Sequence, residues 1–360
     1  MESSPLVIFV VIPLSMYALV LTVILLKAKQ RRRARQARKE LTLAASLAPS
    51  EKDRLLAQKA DEAVRLNQTI QKFVPRQFMH HLQSSDADGL ELGHAVEDKV
   101  AILFCDIRGF TGMSEELQPS DLIRFLNSYF LRMNGPIHQN NGFIDKFIGD
   151  AIMALFDHPN GTDADKARDA INAAIAMQKT VILYNEHRKN CDYQPVSIGI
   201  GIHFGMVTIG TVGSDDRMDT TVIGDNVNVA ARLETLSTKY SAGIIISEEV
   251  LSIAGKDFQI ATRMLDFVRV KGRSKPVKIY EVLDYLPDPK KQYYLQTQRL
   301  IEQGLACRIT KKWDDALEIF QAALRVTPDD PLIIHHIEMC HRCQKMALPD
   351  DWDGAMSSNA

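Results

Sequence analysis

The chain has 360 residues, 46% of them apolar and 24% charged, which suffices for two or three packed units and excludes a mostly disordered chain. Its 43 basic and 45 acidic residues nearly cancel, but eight basic ones (Lys27, Lys29, Arg31, Arg32, Arg33, Arg35, Arg38 and Lys39) crowd into one stretch without an acid. The remainder is therefore acidic, which argues against nucleic-acid binding, and five scattered cysteines, an odd number, argue against a secreted disulfide framework.

Ser3 to Leu26 carries no charge. Residues 5–26, about 33 Å long as a helix, predict a transmembrane span. The basic juxtamembrane segment 27–40 follows it, so the positive-inside bias predicts a single-pass protein of the cell (inner) membrane, with all that follows Lys27 cytoplasmic. The basic run is also suited to anionic lipid. In residues 41–83, Leu56, Ala63 and Ile70 are seven apart, as are Leu66 and Phe73. A short parallel coiled coil or signalling helix and a plain amphipathic helix both fit this spacing. A polar linker, Ser84 to Gly93, comes next.

Residues 96–284 alternate strand-like and helical patterns. Lys99–Cys105 reads as a buried strand and Pro119–Gln139 as a helix; Phe143–Ile148 and Ala151–Phe156 read as strands joined by Gly149-Asp150. Asp163–Arg188 is helical, Val196–His203 and Met206–Val212 are expected to pair as a hairpin, and Asp225–Thr238 is a helix. Strands at Ile244–Ile246, Met264–Val270 and Val277–Leu283 complete the region. The order predicts an α+β fold that opens as a ferredoxin-like βαββαβ unit. Beyond Pro287 the composition is helical. Over 290–346, Gly304, Trp313, Ala316, Phe320, Ala323, Leu324 and Pro328 have the spacing of a tetratricopeptide-like helix pair. One such unit cannot bury its own apolar face, so it is expected to dock on the preceding domain or on a protein partner. Cys340-x-x-Cys343, with His335, His336 and His341 nearby, reads as helix packing, since a single CxxC lacks the second pair of a zinc site.

Asp106 ends the first strand, and Asp150 sits in the turn between the second and third. A right-handed crossover makes the second strand run parallel to the first, so both carboxylates reach one edge of the sheet. Gly109 and Gly149 let backbone approach a ligand there. Two carboxylates at one edge suit hard cations such as Mg²⁺ or Mn²⁺.

FCDIRGFTGMSE from Phe104, FIDKFIGDAIMALF from Phe143, VIGDNVNVAARLE from Val222 and VRVKGR from Val268 resemble the successive motifs of the class III nucleotide cyclase catalytic domain. KFVPRQFMHHL from Lys72 and the tail ending PDDWDG resemble cyanobacterial-type members. The resemblance implies two metal ions per site, held by Asp106, Asp150 and the backbone carbonyl of Ile107, and attack of the ribose 3′-hydroxyl on the α-phosphorus. It implies that Asn228 orients the ribose, Arg232 stabilises the pentacoordinate phosphorus, Lys271 binds the terminal phosphate, and the turn at Phe110 and Thr111 offers backbone N–H groups to phosphates.

For the base, it implies Lys146 and Thr221. Lys146 has only donors and meets the adenine N1 acceptor, whereas the N1–H of guanine would leave donors facing each other at about 1–3 kcal/mol. ATP is thus the expected substrate. Thr221 stands where many adenylate cyclases carry Asp, a departure shared with a subclass of which some members respond to bicarbonate. In the family the metal pair and the remaining site residues come from different protomers, which implies a head-to-tail homodimer. A guanylate cyclase and a catalytically silent dimerising module remain the competing expectations.

Overall fold

The computed structural model describes residues 25–39, 49–70 and 93–357, apart from 159, 215, 270–275, 347, 350 and 351. Two compact units divide the chain, Met1–Phe73 and Val74–Ala360. In the first, residues 25–39 are helical, and a second helix α1 (Pro49–Ile70) bears the heptad positions Leu56 and Ala63. Leu55, Leu56, Val64 and Leu66 are all exposed on it.

The expected single-pass membrane placement is overturned. Among the described residues no helix is long and apolar enough to cross a membrane. Residues 5–24 of the expected span lie outside the described residues. Of that span only Leu25 and Leu26 are described, in a helix that continues through the eight clustered basic residues to Lys39. The cytoplasmic placement, which depended on that span, falls with it.

The second unit is built on strands β1 (Ala95–Ile107), β2 (Phe143–Ile148), β3 (Ala151–Phe156), β4 (Ile198–Ser214), β5 (Arg217–Ile223), β6 (Ile244–Ser247), β7 (Thr262–Arg269), β8 (Val277–Val282) and β9 (Met356–Ser357). They form one sheet in the order β2-β3-β1-β4-β6-β8-β7-β9, with β5 paired to β4. The helices are α2 (Phe110–Glu116), α3 (Pro119–Gln139), α4 (Asp163–Asn190), α5 (Asp225–Lys239), α6 (Glu248–Ala254), α7 (Asp288–Leu295), α8 (Gln298–Ile309), α9 (Trp313–Val326) and α10 (Pro331–Gln344). The βαββαβ opening is as expected.

Central strand β1 shows why the sheet must be covered twice. Ala101, Leu103, Cys105 and Ile107 pack with Tyr129, Met133 and Ile137 of α3 and with the small residues Ala167, Ala170 and Ala174 of α4. The alternate residues Val100 and Ile102 pack on the other face with Met153, Leu155, Val207, Ile209, Val222 and Ala230. Both sets of a period-two pattern are apolar because neither face meets water. A reciprocal capping box between Thr162 and Asp165 starts α4, satisfying backbone N–H groups that have no helical partner.

The expected hairpin within Val196–Val212 is corrected. β4 is one continuous strand of 17 residues, paired with β1 from Ala95↔Gly210 to Ile107↔Ile198. Gly205 makes no turn; it leaves room for the side chain of Asn226, which a Cβ there would strike. The chain reverses after Ser214 instead, and the hairpin partner is β5.

The tail is helical as expected and docks on the preceding domain. Ile301, Leu305, Phe320, Leu332 and Ile333 share a core with Val229, Leu233 and Leu236 of α5 and Leu265 and Ile279 of the sheet. Buried ion pairs tie the layers: Arg263 reaches Glu281 at 2.8 Å and Asp330 at 2.7 Å, and Arg308 pairs with Asp266. Cys340 and Cys343 are buried in this packing, as read from the sequence. The tetratricopeptide-like identity of the helix pair finds no support: α8 and α9 are followed by the single helix α10 and not by further such pairs among the described residues.

Candidate active site

The end of β1 and the β2–β3 turn create the site. Cys105 pairs with Ile152 and Ile148 with Ala151, so the two-residue turn Gly149-Asp150 lies beside Asp106. Gly149 adopts φ 65°, a left-handed conformation that glycine takes without Cβ strain. The Ile107 N–H donates to Asp150 Oδ2 at 3.2 Å, fixing the second carboxylate against the first strand. Together Asp106, Ile107, Phe110, Thr111, Asp150 and Glu234 line a cavity of about 200 Å³.

This cavity concentrates negative charge. Burial first, then the adjoining Asp106, raises the Asp150 carboxyl to about 7. Burial and then Asp106 likewise raise Glu234 to about 7. Asp106 Oδ1 is buried without a hydrogen-bond partner. A buried acceptor left unpaired costs free energy, and a cation satisfies it. Glu234 does not join the pair as a ligand cluster; among the described residues no group of three or more His, Cys, Asp or Glu has metal-holding geometry. Two carboxylates and a backbone carbonyl fit a small hard cation, which keeps several waters and fills further positions with substrate phosphate oxygens.

Two further pairs of expected site residues lie outside this cavity. Lys146 of β2 donates from Nζ to Thr221 Oγ1 of β5 at 2.8 Å, across 75 positions of sequence. Asn228 and Arg232 lie one turn apart on α5, and Arg232 Nη1 is buried without a partner. None of these four residues lines the cavity of Asp106 and Asp150. Lys271 lies outside the described residues.

Glu234 and Arg108 were not foreseen at the site. Arg108 donates from Nη2 to Ser237 O at 3.1 Å and also to Ala242 O, anchoring the first cavity wall to the C-terminal end of α5. The available signal was Gly199-x-Gly201 in β4. A Cβ at Gly201 would collide with Glu234 N and Ala230 O, so these glycines let α5 approach the sheet and set Glu234 beside the carboxylate pair.

A family model described as "Adenylate and Guanylate cyclase catalytic domain" matches residues 93–295, and the chain belongs to that family. An adenylate cyclase of Anabaena cylindrica is 43% identical over 219 residues, covering 59% of this chain and 42% of the relative. The terminal-differentiation-specific adenylate cyclase of Dictyostelium discoideum is 34% identical over 276 residues, covering 76% of this chain and 13% of the relative. The chain therefore spans less than half the length of these curated relatives. A bacterial light-regulated adenylyl cyclase structure shares the fold at a TM-score of 0.55 and 24% identity, over 71% of this chain and 69% of that one.

Proposed function

We propose that the protein is an adenylate cyclase that converts ATP to 3′,5′-cyclic AMP and pyrophosphate, acting as a homodimer with two composite sites. The observation that carries this reading is the convergence of Asp106, Asp150 and Ile107 on one cavity, with Asp106 Oδ1 unpartnered. Asp106, Asp150 and the Ile107 carbonyl would hold two Mg²⁺ or Mn²⁺ ions, which when bound lower the pKa of the ribose 3′-hydroxyl and neutralise the leaving pyrophosphate.

The other roles fall to residues of the partner protomer. Lys146 donates to adenine N1, and the Thr221 hydroxyl, already accepting from Lys146, has a second lone pair for the adenine amino group. Asn228 orients the ribose. Arg232, with one guanidinium N–H group unsatisfied, donates to the oxygens of the pentacoordinate phosphorus, where charge develops in the transition state. Lys271 binds phosphate oxygens from the partner's side, and the backbone N–H groups at Phe110 and Thr111, which line the carboxylate cavity, do so from the chain that carries Asp106 and Asp150. The separation of the Lys146–Thr221 pair from the carboxylate cavity supports assembly across two chains.

The test is incubation of purified protein with Mg²⁺ or Mn²⁺ and, separately, ATP and GTP. Cyclic AMP with stoichiometric pyrophosphate is expected. Preferential cyclic GMP would make it a guanylate cyclase, and no turnover of either nucleotide would leave a silent dimerising module.

A further inference from the structure

We propose that Asp145 is a positioning residue for base selection: its buried carboxylate holds the Lys146 ammonium against Thr221, so that the remaining N–H donors are aimed at the nucleotide base. The proposal rests on the adenylate cyclase reading above and extends it to a residue outside the substrate contacts.

The backbone isolates Asp145. Ile144 pairs with Ala154 and Lys146 with Met153, consecutive residues of β3, so Asp145 is the extra residue of a β-bulge and has no partner across the strand. A bulge bends its strand and re-aims the neighbouring side chains. Here it presents Asp145 and Lys146 to each other instead of to opposite faces of the sheet, with Asp145 Oδ2 at 3.5 Å from Lys146 Nζ.

The environment then makes that contact matter. The Asp145 side chain is 0% exposed, and both its oxygens lack a hydrogen bond. Burial, with Asp219 adding to it and Lys146 opposing it, raises its carboxyl to about 6. Such a carboxylate is costly to the fold, and Lys146 is its ion-pair partner among the described residues. The Lys146 side chain is 34% exposed, so it is not sealed off from a ligand.

A lysine ammonium has three donors on a flexible four-carbon stem. Thr221 Oγ1 takes one at 2.8 Å, and the Asp145 charge, 3.5 Å away, holds the ammonium inward without taking a hydrogen bond. The remaining donors are then confined in direction, and a base offering an acceptor there is favoured over one offering a donor. Without Asp145, the stem can swing to meet the O6 acceptor of guanine, and discrimination relaxes.

The experiment compares wild type, Asp145→Asn, Lys146→Gln and the double variant as full chains. It reads the ratio of kcat/KM for ATP to that for GTP, equilibrium binding of each nucleotide, and the thermal unfolding midpoint. Asp145→Asn is expected to lower the ATP preference about tenfold, with an unchanged or higher midpoint, because the carboxylate it removes is buried and unsatisfied. In the Lys146→Gln background the same change is expected to alter the preference by less than about twofold.

A merely structural role predicts the opposite, a fallen midpoint with the preference intact, and would overturn the proposal. So would an equal loss of preference in both backgrounds. If Asp145→Asn does not fold, the smaller Asp145→Ser provides the same readings. Wild type that binds nucleotides without turning them over defeats the proposed function at the outset, while the binding ratio still decides the role of Asp145.

Discussion

Mixing two inactive variants tests the division of the site between protomers. Asp106→Ala removes a carboxylate of the cavity, and Arg232→Ala removes a half-buried guanidinium that does not line it. In the proposed homodimer each variant alone damages both sites, since every composite site would draw one residue from each chain. In a mixed dimer, however, one site combines both lesions and the other combines two intact contributions. With random pairing at equal amounts, half the dimers are mixed and half their sites are whole. Co-expression should thus restore about a quarter of wild-type cyclic AMP production, with recovery falling off symmetrically as the ratio departs from unity. Activity no greater than the sum of the two variants, at every ratio, would refute the cross-chain site.

Three other outcomes follow from the geometry. Asp106→Asn should abolish the Mg²⁺- or Mn²⁺-induced gain in unfolding free energy, which for wild type at a hundredfold excess over Kd amounts to about 2.7 kcal/mol in urea unfolding; an undiminished gain in the variant would mean the cation binds elsewhere. Gly201→Ala forces a Cβ onto backbone atoms of α5 and should cost about 1–3 kcal/mol in urea unfolding, whereas Gly112→Ala meets no atom within 4 Å and should cost nothing; equal effects would contradict the close approach of α5. His336 is the third case. Buried between Arg308 Nη1 and Leu265 O, it is lowered to about 3, so the folded state stays unprotonated where the unfolded chain takes up a proton below about 6.5. Stability should consequently fall by roughly 2 kcal/mol from pH 6.5 to pH 5, and His336→Gln should lack that component; parallel denaturation profiles of the two proteins would count against it.

The features readable in advance were those set by local pattern. The apolar runs Lys99–Cys105, Phe143–Ile148 and Ala151–Phe156, with Gly149-Asp150 between the last two, were enough to place Asp106 and Asp150 at one sheet edge. What escaped depends on distant partners. The break expected between His203 and Met206 falls at Gly205, and since glycine marks both turns and close approaches, only Asn226 distinguishes the two. β5, with the sequence RMDTTVI, has little apolar character because its side chains are largely exposed, so periodicity did not reveal it. Glu234 gains its role from Gly201 on a neighbouring strand. The membrane placement went astray because an uncharged run followed by basic residues was read as a span, and none of the described helices has the length and apolarity to form one.

The docked tail bears on how the gene product tolerates shortening. Five of its large residues, Ile301, Leu305, Phe320, Leu332 and Ile333, are buried, and at about 1.5–3 kcal/mol each they contribute on the order of 10 kcal/mol, comparable to the whole stability of a typical domain. Stopping the chain before Asp288 would also strip Asp266 of its Arg308 counter-ion and uncover the back of the helix that bears Arg232. The C-terminal helices thus serve as a buttress for the wall that bears Arg232, and a nonsense codon there would be expected to cost the cell the folded domain as a whole.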